Sequence, residues 1–197
     1  MLSDQDILNR YLAKRAEFEK TADITLIGHS LFDMWEDLPE GTPSLASKSV
    51  ANLGISGVST RQYLDVVVKP GYIQHLGQAV FLFLGVNDIV KEPDYSPMQV
   101  MSWLDEILRR LQKVAPNSRY FLLEATPVNN ISTVDNSEIR QLNAYLQEHC
   151  PAGLTFVPTQ SFFMNKEGKL DLELCTDGLH FNPRGYERLT QILLERL

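Results

Sequence analysis

The feature that most constrains this chain is an alternation along its whole length, in which short apolar runs are separated by segments of helical periodicity. Residues 23–27, 49–53, 79–84, 120–123 and 154–157 are rich in Val, Ile, Leu and Phe. Runs of that kind suit strands buried on both faces, as happens when helices cover both sides of a parallel sheet. The clearest helix opens at Ser96-Pro97-Met98-Gln99, a capping-box pattern with proline at the first helical position. It continues through Val100, Met101, Leu104, Ile107, Leu108, Leu111 and Val114, a 3-4 spacing that lays one apolar stripe on a sheet. A last helix should open at Asn182-Pro183 and bury Tyr186, Leu189, Leu193 and Leu197. Residues 4–19 and 137–149 also read as helices, and residues 60–68 as a shorter one. The repeated strand–helix order predicts one α/β domain over residues 1–197, three-layer α/β/α, with a five-stranded parallel sheet.

Ligands of such sheets sit outside the carboxyl ends of the strands. Four polar signals fall there in this chain. Gly28-His29-Ser30 follows the first strand, and "NLGISG" places Gly54 and Gly57 at the exit of the second. Asn87 and Asp88 follow the third, and Asp177 and His180 stand three residues apart just before the last helix. A serine hydroxyl is a weak nucleophile until an imidazole takes its proton. The imidazole in turn needs an acceptor that fixes its tautomer and stabilises its charged form. Ser30, His180 and Asp177 have the types for those roles. Glycine lets a backbone N–H come close to an oxyanion, which suits Gly54, while Asn87 and the Ser30 amide add donors. Taken one at a time, each signal also reads as an ordinary turn or helix cap.

Composition narrows the partners. The net charge of −7 disfavours a polyanionic partner such as nucleic acid. Residues 1–20 are too charged for a secretory leader and no stretch reaches membrane-spanning length, so a cytoplasmic setting without membrane association is expected. Cys150 and Cys175 stand far apart and read as ordinary thiols. His75 and His149 fall in stretches read as helical, without ligand-spaced partners, so neither a metal nor any other cofactor is expected. If Ser30, His180 and Asp177 act as nucleophile, base and acid, the substrate would be a small-molecule ester, and the chain is expected to be a monomer or homodimer.

The four blocks Gly28-His29-Ser30, Gly54 in "NLGISG", Gly85-Val86-Asn87-Asp88 and Asp177-Gly178-Leu179-His180 resemble the signature of the SGNH (GDSL-type) hydrolases. The likeness spans nearly the whole chain. It is greatest for the branch of the platelet-activating-factor acetylhydrolase catalytic subunits, near which bacterial sugar and sialic-acid O-acetylesterases also sit. The resemblance implies Ser30 as nucleophile, His180 as base, Asp177 as its orienting acid, and Gly54 and Asn87 joining the Ser30 amide in the oxyanion hole. One position departs from the family pattern: His29 stands where an aspartate is usual. That exchanges an obligate acceptor for a ring that can donate, and His29 is expected to donate to a nearby loop carbonyl. Gly-x-Ser-x-Gly is absent, since Phe32 lies two residues beyond Ser30, which argues against a classical α/β-hydrolase.

Around these residues Phe32, Trp35, Ile89, Val90 and Phe181 could line an acyl pocket, Arg61 could meet an anionic substrate group, and residues 90–97 could form a rim. The expected activity is ester hydrolysis through an acyl-enzyme, releasing a small acyl group such as acetyl from a sugar or similar alcohol. The alternatives are a lipase or acyl-thioesterase of the same fold, a hydrolase-like binding module in which His29 marks lost catalysis, and a flavodoxin-like nucleotide or flavin binder.

Overall fold

A computed structural model describes residues 2–197. In chain order the elements are α1 (Asp4–Ala13), α2 (Arg15–Phe18), β1 (Ile24–Gly28), α3 (Ser30–Asp33), β2 (Val50–Gly54), α4 (Thr60–Gln62), β3 (Ala79–Phe83), α5 (Val86–Lys91), α6 (Pro97–Val114), β4 (Arg119–Leu123), α7 (Asn136–Glu148), β5 (Leu154–Val157), α8 (Gln160–Phe163) and α9 (Pro183–Leu194). All five strands are parallel, in the order β2-β1-β3-β4-β5. The chain therefore begins in the interior of the sheet, steps out to β2, and returns past β1 to build the other side. Ser30 follows β1, the strand at which the order reverses, where open α/β sheets bind ligands.

Successive strand residues point to opposite faces. Ile27, Leu53, Val80, Leu82 and Leu122 pack against α1, α6 and α7, together with Ile7, Leu104, Ile107, Leu108 and Leu142. Ile24, Leu26, Phe81, Phe83 and Leu123 face the other way, onto α3, α8 and α9, where Phe32, Phe163, Tyr186, Leu189 and Leu193 complete the packing. Six apolar side chains of α6 are buried, each contributing roughly 1.5–3 kcal/mol by leaving water. The five-stranded sheet between helical layers agrees with the sequence expectation, and β1 and β2 each end one residue later than expected.

Differences from that expectation are local. The helix over 4–19 breaks at Lys14. Residues 60–68 begin as α-helix, but Tyr63–Val68 widen to π geometry, with the Lys69 amide donating to the Leu64 carbonyl at 2.8 Å. Three consecutive valines there crowd a regular helix. Ser96 caps α6 through the Gln99 amide at 3.2 Å, one half of the capping box. Residues 90–97 are not wholly a loop, since Val90 and Lys91 close α5. His75 lies in an irregular segment and not in a helix, while His149 caps α7 with its ring stacked on Tyr145. No helix among the described residues is long and apolar enough to cross a membrane.

Gly54 closes β2 against the start of α3. A Cβ there would lie 2.5 Å from the Asp33 amide nitrogen and 2.9 Å from the Phe32 Cβ. Gly54→Ala should therefore destabilise the fold by about 1–3 kcal/mol, the usual range for overpacking. Urea unfolding would show this as a lower midpoint at unchanged slope.

Candidate active site

Gly28 pairs with Gly54 on β2 and with Phe83 on β3, so three strand exits leave the sheet at one level. The first exit turns at once into α3. His29 is its N-cap: the His29 carbonyl accepts from the Phe32 and Asp33 amides at 3.1 Å, and Ser30 is the first helical residue. The hydroxyl of Ser30 is thus held at a helix N-terminus, half-buried at the surface.

The loop carrying His180 comes from the far end of the chain. Its brace is the segment after β4, where the Asn129 amide donates to the Gly178 carbonyl at 2.8 Å and the Asn129 side chain donates to the Leu170 carbonyl at 2.8 Å. Asp177 Oδ1 accepts from the Leu179 amide at 2.9 Å and the His180 amide at 2.7 Å. Its other oxygen lies 2.7 Å from His180 Nδ1, and His180 Nε2 lies 3.1 Å from Ser30 Oγ. With Nδ1–H donating to the carboxylate, Nε2 is left to accept from the Ser30 hydroxyl. Burial pushes the Asp177 carboxyl up, but these hydrogen bonds outweigh it and hold the group below the usual carboxylate range. The ring is thereby supplied with a fixed anion on one side and a proton donor on the other, the arrangement that general-base activation of a serine requires.

Gly54 does not fill the place the sequence suggested. Its amide donates to Asn52 Oδ1 at 3.1 Å, because an asparagine two residues back in the strand can close onto it. The neighbouring amides are engaged as well: Ile55 to the Gly28 carbonyl, Ser56 to Asp33 Oδ2, and Val58 to the Ile55 carbonyl. Among the described residues, Gly57 N–H has no intramolecular acceptor. Gly57 has φ +75°, which a glycine adopts without strain. Ser30 N–H is likewise unengaged. Asn87, near the start of α5, gives one amide hydrogen to the Val58 carbonyl at 2.9 Å and keeps the other.

Asn52 was missed in the sequence because its position inside an apolar strand hid it. Fully buried, it donates to the Phe32 carbonyl at 2.6 Å and to Thr42 Oγ1 at 2.8 Å, tying β2 to α3. Asp33 does similar work, pairing with Lys14 at 2.8 Å and accepting from the Ser56 amide at 2.7 Å. Asp88 is also fully buried and accepts from the Thr60 amide and hydroxyl. Burial pushes its carboxyl up to about 7, against the downward pull of the Thr60 donors.

Of the expected pocket residues, Ile89 is half-buried and Val90 exposed on α5, while the three aromatic ones are in the core. Phe32 and Phe181 are buried in the core, Phe181 stacked on Phe163, and Trp35 is buried with its ring stacked on Tyr186. Arg61 is taken up by Asp4, Asp65 and Glu92; its hydrogen bond to Asp4 is foremost in keeping the guanidinium charged. Short strand-to-helix connections turn these side chains inward, which a linear reading could not show. Among the described residues, no group of three or more His, Cys, Asp or Glu side chains converges as a metal site requires.

His29 does not donate to a loop carbonyl. Its Nδ1 accepts from the Leu31 amide at 3.3 Å, its ring tilts against Phe83, and its buried Nε2 has no partner among the described residues. Burial first, then the charges of His180 and Lys91, push its pKa down to about 3. Since the unfolded chain takes up that proton near pH 6.5 and the folded one only near 3, stability falls as pH drops through this window. Relative to His29→Gln, which lacks the titration, the protein should lose on the order of 2–3 kcal/mol between pH 7 and pH 4.5. Urea titrations at the two pH values measure the difference.

Comparison with known proteins adds four relations. The GDSL-like Lipase/Acylhydrolase family model matches residues 21–188. An N-acylneuraminate cytidylyltransferase of Escherichia coli is 35% identical over 191 residues, covering 97% of this chain and 44% of that protein. The chain thus spans less than half the length of the curated relatives it matches. A solved structure from Streptococcus pneumonia, provisionally described as a platelet activating factor, superposes with a TM-score of 0.81 at 24% identity, covering 98% of this chain and 95% of that one. A GDSL-like lipase from Bacteroides thetaiotaomicron superposes with a TM-score of 0.73 at 18% identity, covering 96% of each chain.

Proposed function

The chain belongs to the GDSL-like lipase/acylhydrolase family, and from that premise we propose that it removes small acyl groups, acetyl above all, from a sugar-like alcohol through an acyl-enzyme on Ser30. The observation that carries this reading is the continuous chain of contacts from Ser30 Oγ to His180 to Asp177, at 3.1 and 2.7 Å.

Ser30 Oγ attacks the ester carbonyl carbon while its proton passes to His180 Nε2. Asp177 stabilises the resulting imidazolium. The tetrahedral oxyanion receives the amides of Ser30 and Gly57 and the remaining Asn87 N–H. Collapse breaks the carbon–oxygen bond to the alcohol, which leaves with the proton from His180. Water then repeats the sequence on the acyl-serine, releasing the carboxylic acid and restoring the hydroxyl.

Two observations support a small acyl group on a sugar acid. The aromatic side chains that would have built an apolar acyl channel are consumed in the core. The E. coli relative, matched over nearly all of this chain, has a name that concerns an N-acylneuraminate, an acylated sugar acid.

Ser30→Ala or His180→Ala should remove nearly all turnover of p-nitrophenyl acetate. Asn87→Ala should lower kcat by about 10²–10³-fold, the scale of one oxyanion donor. Within a series of p-nitrophenyl esters, kcat/KM should be highest for the two-carbon acyl group. Highest activity at eight carbons or more would instead mark a lipase or acyl-thioesterase.

A further inference from the structure

Asn87 and Lys91 are four residues apart on α5 and so share one helix face, with Cβ atoms about 5–6 Å apart. Both reach the same loop: Asn87 donates to the Val58 carbonyl and Lys91 Nζ to the carbonyl of Gly57. On the residue before, Arg10 Nη1 donates to the Ser56 carbonyl at 3.1 Å, and its charge is close enough to act on Lys91. Two cations therefore clasp the loop whose Gly57 amide is unengaged, and among the described residues neither makes an ion pair. The nearest carboxylates on α5 and after it are committed elsewhere, Asp88 to Thr60 and Glu92 to Ser59 and Arg61. Lys91 is half-buried. Burial pulls its pKa below the ordinary lysine value and Arg10 adds to this, so an arriving anion would relieve the strain of holding the charge there. The field of Lys91 also reaches His29, the neighbour of Ser30.

We propose that Lys91, assisted by Arg10, forms a carboxylate subsite one helical turn beyond the oxyanion donors, selecting esters whose alcohol carries an acid group. The placement of this subsite rests on the esterase reading, but its test does not need turnover. In this acidic chain a local pair of cations sets which substrates approach productively, since an incoming carboxylate exchanges water for a charge-assisted hydrogen bond. Arg61, the basic residue singled out by the sequence, has no such freedom.

The test uses the Ser30→Ala protein, which binds without hydrolysing, titrated calorimetrically with N-acetylneuraminate and with its methyl ester. The free acid should bind at least about tenfold more tightly. Adding Lys91→Met should shrink this preference below about twofold, while Lys91→Arg should keep most of it. Arg10→Gln, at an exposed position, should reduce it about threefold even if Lys91→Met fails to fold. Equal binding of acid and ester, no measurable binding of either, or a preference indifferent to both the Lys91→Met and Arg10→Gln changes would overturn the subsite. Ser30-dependent turnover of p-nitrophenyl acetate by the wild-type chain reports separately on the esterase reading, so the two can fail independently.

Discussion

The constraint on which the site depends is the register of three parallel strands. Gly28 lies opposite both Gly54 and Phe83, so the segments bearing Ser30, Gly57 and Asn87 leave the sheet side by side. A slip of one residue would exchange the two faces of a strand. Ile24 and Leu26 would then meet the layer built for Thr25 and Ile27, and Ser30 would turn away from His180. The site is therefore specified by burial over the whole sheet as much as by its own residues. Its fourth segment, carrying Asp177 and His180, is far away in sequence and is held at the same edge by Asn129 and by the packing of α9 in one core with β1 and β3.

Register alone would leave the loops free to drift. They are held by buried or half-buried polar side chains whose hydrogen bonds go mainly to backbone: Asn52 to Phe32 and Gly54, Asp33 to Ser56, Asp88 to Thr60, Asn129 to Leu170. A buried polar group that lost its partner would cost about 1–3 kcal/mol, so each bond makes the loop conformation hard to change. His29 belongs to this set. As a neutral ring it caps α3 through Nδ1, a task any acceptor could perform, and it brings no negative charge beside the nucleophile. Relative to an aspartate at this position, the neutral ring keeps the acceptor while altering the local field.

The strands, the long helices α6, α7 and α9, and the meeting of Ser30, His180 and Asp177 were legible in the sequence. Each rests on a periodic or positional signal: apolar runs, 3-4 spacing, polar residues just past strand ends. What was not legible depended on which way a side chain faces after a short turn. Phe32, Trp35 and Phe181 flank the site in sequence, yet α3 and the start of α9 rotate them into the core. The sequence points to Gly54, and not Gly57, as the donor. Asn52 decides otherwise, since its side chain claims the Gly54 amide and, among the described residues, leaves that of Gly57 unengaged. Arg61 drew attention as a cation beside the second block, but Asp4, which binds it, lies near the chain's beginning.

The central claim is that His180 activates Ser30. Mass spectrometry after exposure to a fluorophosphonate probe tests it most directly, because the reagent reacts with activated serines and spares ordinary ones. The account predicts one covalent adduct, on the peptide containing Ser30, in the wild-type chain and almost none in folded His180→Ala. An unmodified wild-type Ser30, or equal labelling with and without the imidazole, would contradict it.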